Sequence, residues 1–316
     1  MVAKIFIDGA AGTTGLEIRE RLAGRRDVEL VQLSDAERKD TRARAHALNQ
    51  SDLVILCLPD EAARQAVGLI ENDAVRVIDA STAHRTAPGW VYGFPELDAD
   101  QRGKIAKAAR VANPGCYPTG FLALVAPLVR GGIIPKDFPL TVNAVSGYSG
   151  GGKAMIEEFE NKKSPAYVET VSRIYALTLA HKHVPEMQIH AGLAHPPVFA
   201  PSVARYYRGM IVEVPLQLWA LPGKPTTASL LGVLEEAYRD EALIELGTLM
   251  DTMTAKSLDA EMLRLTNGMK LFVFGNDKTG QARLVAVLDN LGKGAGGAAV
   301  QNMNIMLRLP ETEGLV

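Results

Sequence analysis

Short apolar runs alternate with helix-spaced stretches through the amino-terminal third of the chain. Lys4-Ile5-Phe6-Ile7-Asp8 reads as a strand, and Leu16, Ile18 and Leu22 after it carry a helical pattern. Val28 to Leu33, Leu53 to Leu58 and Val75 to Asp79 repeat the apolar run, with helical patterns between some of them. Strands of continuous apolar character separated by helices are buried on both faces, which predicts a parallel, doubly wound α/β sheet. Farther along, Tyr117 to Arg130 predicts a helix, with Pro118 tolerated in its first turn. Strand-like runs follow at Val142 to Val145, Met210 to Val214, Leu271 to Phe274 and Leu284 to Leu288, and a helical run at Ala228 to Tyr238. No internal repeat or low-complexity tract interrupts this order.

Composition narrows the class. A length of 316 residues is long for one core and predicts two domains. Hydrophobic content of 47% and charged content of 22% describe an ordinary soluble globular protein. A formal net charge of −2 gives no reason to expect nucleic acid or anionic membrane as a partner. The two cysteines, Cys57 and Cys116, make no disulfide framework, which fits a reducing cytoplasm. The first residues lack the pattern of a signal peptide. The longest apolar run, Phe121 to Val129, is too short to span a bilayer and contains Pro127. The expectation is a cytoplasmic protein.

Gly9-Ala10-Ala11-Gly12-Thr13-Thr14-Gly15 joins the first strand to the first helix. A pyrophosphate needs such a turn, with close backbone approach and then a helix N-terminus aimed at the anion. The G-x-x-G-x-x-G spacing departs from the commoner G-x-G-x-x-G, so the place between strand and helix carries the argument. It predicts dinucleotide binding by Gly9, Gly12, Thr13, Thr14 and Gly15; a glycine turn that binds nothing is the alternative. Asp35, 20 residues after Gly15, stands where an acidic group would bind the ribose 2′-hydroxyl of NAD. Ser34 at the strand end, with Arg38 and Lys39 just beyond, suits the 2′-phosphate of NADP instead. NADP is the expected cofactor. Ligands of doubly wound sheets lie beyond the carboxyl ends of strands, so Cys57, Leu58, Pro59 and Ser81 are expected to line the cofactor trough. Cys57, ending a buried strand, reads as packing or a backbone contact and not as a nucleophile.

Cys116 lies in Asn113-Pro114-Gly115-Cys116-Tyr117-Pro118-Thr119-Gly120, where strong turn chemistry hands over to a helix. Free N–H groups and the macrodipole at a helix N-terminus favour negative charge. That placement lowers a thiol pKa from about 8.5 toward neutrality and makes a nucleophile. The same N–H groups can stabilise an oxyanion on an acyl substrate. The alternative is a small buried apolar residue.

Val142 to Val145 runs into Ser146-Gly147-Tyr148-Ser149-Gly150-Gly151-Gly152-Lys153. Glycine-rich loops ending in Lys cradle phosphate, but Ala154 replaces the hydroxyl residue of the P-loop. A phosphate or nicotinamide contact and a plain flexible loop both fit. His181-Lys182-His183-Val184-Pro185-Glu186 sets two of the six histidines two residues apart, and extended backbone would point both imidazoles to one side. A general base for the cysteine is the expected use. A metal half-site is weaker, because no further His or Cys cluster completes it; two solvated histidines remain the bland alternative.

These pieces carry a resemblance. With Tyr92-Gly93-Phe94-Pro95-Glu96-Leu97 and the Gly-Lys-Gly-Ala-Gly-Gly and Gln-Asn-Met-Asn of Asn290 to Met306, the chain resembles the N-acetyl-γ-glutamyl-phosphate reductases of arginine biosynthesis, particularly their shorter form. The motifs run in order from residue 9 to residue 306. The resemblance implies a Rossmann domain of residues 1–117 and 293–316, plus an α+β substrate and dimerisation domain of residues 118–292. It implies an NADPH-dependent reductive dephosphorylation of an acyl phosphate through a Cys116 thioester, with His183 as base and His181 second. Arg85 resembles a phosphate-binding Arg of the related aspartate-semialdehyde dehydrogenases, whose guanidinium forks onto two oxygens; its alternative is an ordinary surface Arg. Asn113, Ser146 and Lys153 join it as candidate substrate contacts, and Ser149 and Gly150 as cofactor contacts. A homo-oligomer, dimer or tetramer, and no metal are implied. Reduction of another acyl phosphate, or a non-catalytic dinucleotide-binding regulator, are the competing functions.

Overall fold

The computed structural model describes residues 2–315 and, at Leu249, the backbone alone. The chain separates into two compact units: residues 2–95, 100–115 and 295–315 form one, residues 96–99 and 116–294 the other.

The first unit is a six-stranded sheet of β1 (Ala3–Asp8), β2 (Val28–Val31), β3 (Leu53–Leu56), β4 (Arg76–Asp79), β5 (Val91–Tyr92) and β6 (Arg110–Ala112). The order is β2-β1-β3-β4-β6-β5 and every pair is parallel. Helices α1 (Thr13–Leu22), α2 (Thr41–Gln50), α3 (Asp60–Gly68) and α4 (Gln101–Lys107) make the connections. Ile5, Leu53, Val54, Ile55, Leu56, Val77 and Ile78 are buried, as strands covered on both faces require. Strand order reverses beside β1, and the crevice at that reversal is where doubly wound sheets bind ligands.

Two strands end sooner than their apolar runs suggest. The edge strand β2 makes its last pairing at Val31 with Phe6, so Ser34 lies three residues past the strand and not at its end. β3 stops at Leu56, and the Cys57 N–H then reaches the Asp8 carbonyl at 2.7 Å where the loop begins.

The second unit holds β7 (Thr141–Gly147), β8 (Ser172–Ile174), β9 (Val198–Ala204), β10 (Met210–Gln217), β11 (Ile244–Leu246), β12 (Met269–Asn276) and β13 (Gln281–Leu288), in the order β11-β12-β13-β10-β7-β9-β8. The sheet is mixed: β10 runs antiparallel to β13 and β7, whereas β7–β9 and β11–β12 are parallel. Its helices are α5 (Cys116–Arg130), α6 (Gly152–Glu160), α7 (Val184–Ala191), α8 (Thr227–Tyr238) and α9 (Leu249–Thr254). Tyr117 through Val129 are all buried, so α5 is a core helix, apolar all round. Gly120 lets it settle onto the sheet, since a Cβ there would stand 2.9 Å from the Val212 side chain.

Residues 96–99 are a short loan to this unit, and the buried Glu96 carboxylate meets the buried Lys293 ammonium at 2.7 Å. The chain then returns to the first unit as α10 (Gly297–Leu307), which packs on α1, α4 and β4. No helix among the described residues is long and apolar enough to cross a membrane.

Candidate active site

The turn after β1 is compressed. Gly9 takes φ +89°, and a Cβ there would lie 2.3 Å from the Cys57 carbonyl oxygen; a Cβ on Gly15 would lie 2.5 Å from the Gly9 carbonyl oxygen. Only glycine meets both demands, and the result brings backbone against the crevice between β1 and β3. The Gly12 N–H closes on the Gly9 carbonyl at 2.9 Å, and α1 starts with no side-chain cap. Thr13 Oγ1 is buried with no hydrogen-bond partner among the described residues. Uncapped helical N–H groups, an idle hydroxyl and close backbone are donors of the kind a pyrophosphate uses, so these residues fit a dinucleotide.

Beside this turn, a cavity of about 130 Å³ is lined by Gly9, Ala10, Arg19, Gln32, Leu33 and Arg38, among others. Arg38 is there as expected, but Ser34 is not among the lining residues. Glu37 occupies Ser34, accepting from its N–H at 2.8 Å and its hydroxyl at 2.6 Å. Those bonds hold the Glu37 carboxyl below its usual range. Arg38 pairs with the exposed Asp35. Arg19 is an addition; it sits in the last turn of α1, where nothing in the sequence sets it apart from other surface arginines.

The loops after β3 and β4 follow suit. Burial, then the nearby Asp79 and Asp8 carboxylates, push the Cys57 thiol up to about 12, so it stays protonated and unreactive. Leu58 and Pro59 lead into α3. Ser81 is buried and bound to Asp79, through its N–H at 2.9 Å and its hydroxyl at 2.7 Å.

Cys116 is the first residue of α5, with no acidic side chain in that first turn. It opens onto a cavity of about 280 Å³ lined by Tyr117, Ser146, Gly150, Tyr175, His181, Lys182 and His183, with glycines and two apolar side chains completing the wall. Thiol, both histidines, Ser146 and Gly150 are therefore together. The His181–His183 backbone is not extended: it is a turn in which the Val184 N–H bonds the His181 carbonyl at 3.0 Å and His183 caps α7. Pro185 in the first turn of α7 accounts for this, since its fixed φ starts the helix there. The imidazoles still share one side, with centroids 4.7 Å apart. His181 Nδ1 accepts the His183 N–H at 3.1 Å, so a neutral His181 carries its proton on Nε2. Tyr175 donates to Tyr117 at 2.9 Å. Burial keeps both phenols protonated, Tyr175 up to about 12 and Tyr117 well above its ordinary value. Tyr175 escaped the sequence reading because it lies outside any motif, in an irregular stretch after β8.

Residues 289–294 brace this wall. Asp289 is buried against Arg208 at 2.7 Å and accepts the Leu291 N–H at 2.9 Å. Asn290 takes the Gly209 N–H at 2.7 Å and donates to Ser149 Oγ at 2.9 Å, pinning the glycine-rich loop. The Gly294 N–H bonds the Asp289 carbonyl at 2.9 Å, and a Cβ on Gly294 would lie 2.7 Å from Cys116 Cβ. Ser149 thus serves in this structure as an anchor of the loop.

Three other candidates stand elsewhere. Arg85 is buried, not a surface residue: it donates to the Asn113 carbonyl at 2.9 Å and the Ala80 carbonyl at 3.1 Å. Asn113 donates to the Ala295 carbonyl at 2.9 Å and accepts from Asn302 at 3.1 Å, which fixes the turn before Cys116. Lys153 is exposed on the first turn of α6 and is not among the residues lining the thiol cavity.

Residues 4–105 match the semialdehyde dehydrogenase NAD-binding domain, and residues 116–290 match the semialdehyde dehydrogenase dimerisation domain. A solved structure of a probable aspartate-semialdehyde dehydrogenase from Pseudomonas aeruginosa has a TM-score of 0.72 at 14% identity, covering 98% of this chain and 99% of that one. One from Candida albicans, solved with NADP, has a TM-score of 0.64 at 12% identity, covering 97% and 99%. Fold and domain matches together define a semialdehyde dehydrogenase-type oxidoreductase.

Nearer relatives refine the class. N-acetyl-gamma-glutamyl-phosphate reductase 2 of Nostoc sp. is 52% identical over 99% of both chains. The N-acetyl-gamma-glutamyl-phosphate reductase of Brucella ovis is 53% identical over 97% of this chain and 99% of its own. The chain belongs to the N-acetyl-gamma-glutamyl-phosphate reductase family.

Proposed function

We propose that the protein reduces N-acetyl-γ-glutamyl phosphate to N-acetylglutamate semialdehyde with NADPH, releasing phosphate, in arginine biosynthesis in the cytoplasm. The observation that carries this reading is the convergence of Cys116, at the start of α5, with His181 and His183 on one cavity. The thiolate sulfur attacks the acyl carbon, the bond from that carbon to the phosphate oxygen breaks, and phosphate leaves with the electron pair. N–H groups at the start of α5 lie where they favour the thiolate before attack and an oxyanion after it. His183 takes the thiol proton, while the turn holds the neutral His181 ring with its proton on Nε2. Gly9, Gly12, Thr13, Thr14 and Gly15 hold the pyrophosphate, with Arg38 and Arg19 at the ribose end. When bound, the nicotinamide supplies the hydride that takes the thioester to the aldehyde level. The carbon–sulfur bond then breaks, the carbonyl re-forms, and the Cys116 thiolate is restored.

A homodimer completes the proposal. Val212 and Ala286 face α5, so their neighbours Ile211 and Val285 face the opposite side of the sheet. There they line an open groove of about 370 Å³ with Leu258, Phe274, Glu213 and Arg283. A second copy covering this face accords with the name of the matched dimerisation domain; Ile211→Asp should yield monomers in sedimentation.

The function is tested in the reverse direction. N-acetylglutamate semialdehyde, phosphate and NADP should produce absorbance at about 340 nm, the reduced-nicotinamide band. Turnover of aspartate semialdehyde in preference, or of neither, would overturn the reading.

A further inference from the structure

The thiol cavity carries a charge that the chemistry above leaves unused. Lys182 stands between the two histidines and lines the cavity with Cys116, Tyr175 and Ser146. No Asp or Glu is among the lining residues, and Lys182 is the one with a permanent charge. Its side chain is exposed and has no ion-pair partner among the described residues. Its backbone, by contrast, is fixed. The His183 N–H to His181 Nδ1 bond and the Val184 N–H to His181 carbonyl bond close the turn around it, and Pro185 stiffens the exit. A cation held at its base and idle at its tip suits an anion that arrives with the substrate.

The proposed substrate has two anionic ends, and this inference rests on that proposal. The acyl phosphate must reach Cys116 and then depart, so a strong partner there would slow product release. The α-carboxylate stays on the molecule throughout, at the far end of a short carbon chain. We infer that Lys182 binds the α-carboxylate of the substrate, and so selects acyl phosphates that carry a carboxylate at the distal end. One ammonium–carboxylate hydrogen bond, both partners charged, orients the chain toward the sulfur from the opposite end. Lysine is suited to this as a compact point charge on a flexible stem.

The reverse reaction separates the two ends, because the semialdehyde keeps the carboxylate and the phosphate is a separate reactant. Lys182→Gln should raise the KM for N-acetylglutamate semialdehyde about 10- to 100-fold, the range for a hydrogen bond between charged groups, with the KM values for phosphate and NADP unchanged. Lys182→Arg should recover most of the loss. The semialdehyde with its α-carboxylate converted to a carboxamide should be a poor substrate for the parent and equally poor for Lys182→Gln. Lys162→Gln, the same charge change on an exposed residue beyond α6, should behave as the parent. A rise confined to the KM for phosphate would assign Lys182 to the leaving group and overturn the inference, as would unchanged constants. Should the parent use aspartate semialdehyde instead, the proposed function falls, and the same KM comparison on that carboxylate decides Lys182 by itself.

Discussion

The Tyr238 hydroxyl donates to the Ala123 carbonyl at 2.8 Å, across 115 residues of sequence and inside the core of the second unit. Pro127, one helical turn after Ala123, has no N–H to offer that carbonyl, so α5 carries an acceptor its own backbone cannot satisfy. Tyr238, at the end of α8, replaces the missing donor, and its burial moves the phenol far above its ordinary pKa. Tyr238→Phe should destabilise the protein by about 1–3 kcal/mol, the range for an unsatisfied buried group. In a Pro127→Ala background the same change should cost measurably less. Equal losses in both backgrounds, by denaturant unfolding, would disconnect the two residues.

Cys116→Ser should abolish turnover while leaving NADPH affinity nearly unchanged, because a serine hydroxyl stays protonated where a thiolate forms. Activity within about tenfold of the parent, roughly 1.4 kcal/mol in barrier, would rule out the covalent route.

Alkylation distinguishes the two thiols. A folded pKa of about 12 keeps Cys57 in its thiol form at every pH below that, and it becomes a thiolate only above. At pH near 8, iodoacetamide should add one adduct to the folded parent and none to Cys116→Ser, read by intact mass. Two adducts on the native protein would mean that Cys57 is reactive.

His183→Asn should slow that alkylation at neutral pH and lose less as pH rises, since an imidazolium beside sulfur stabilises its anion. The N-terminus of α5 remains, so a partial effect is expected. His181→Asn keeps an acceptor for the His183 N–H, since Asn Oδ1 stands where Nδ1 does, and so removes the imidazole without opening the turn. If the loss follows His181→Asn alone, the two roles are exchanged.

Under the proposed function, Arg38 and Glu37 set cofactor choice. Arg38→Ala should weaken NADPH by ~1.5–3 kcal/mol, toward the lower end because the guanidinium exchanges Asp35 for the phosphate, and should barely alter NADH. Glu37→Gln, which removes a negative charge from Ser34, should strengthen NADPH selectively. Titration calorimetry with both nucleotides reads the difference; equal effects on the two would detach these residues from the 2′-phosphate.

Apolar runs and turn glycines made the doubly wound sheet readable, because Ile5 to Ile7 of β1, all of β3, and Val77 and Ile78 of β4 form unbroken buried apolar runs. β5 and β6, of two and three residues, are too short for any periodicity to register. The Cys116 turn and the paired histidines were legible as motifs. Ser34 was misplaced because apolar character continues to Leu33 although the edge strand has already run out of partners. The Asp289–Arg208 and Asn290–Ser149 bonds join residues 81 and 141 apart, and no local pattern announces such a pairing.

The loan of residues 96–99 sets a limit on taking the protein apart. A fragment of residues 116–294 would contain the whole mixed sheet, the thiol and both histidines, yet it would lack Glu96. Lys293 would then lose the carboxylate that faces it, and removing one member of a buried pair costs about 3–5 kcal/mol, a large share of an ordinary domain's stability. The unit that looks modular is therefore not a portable one. Shuffling it onto a different nucleotide-binding partner requires that the partner bring its own Glu at the same excursion, or that Lys293 become neutral first.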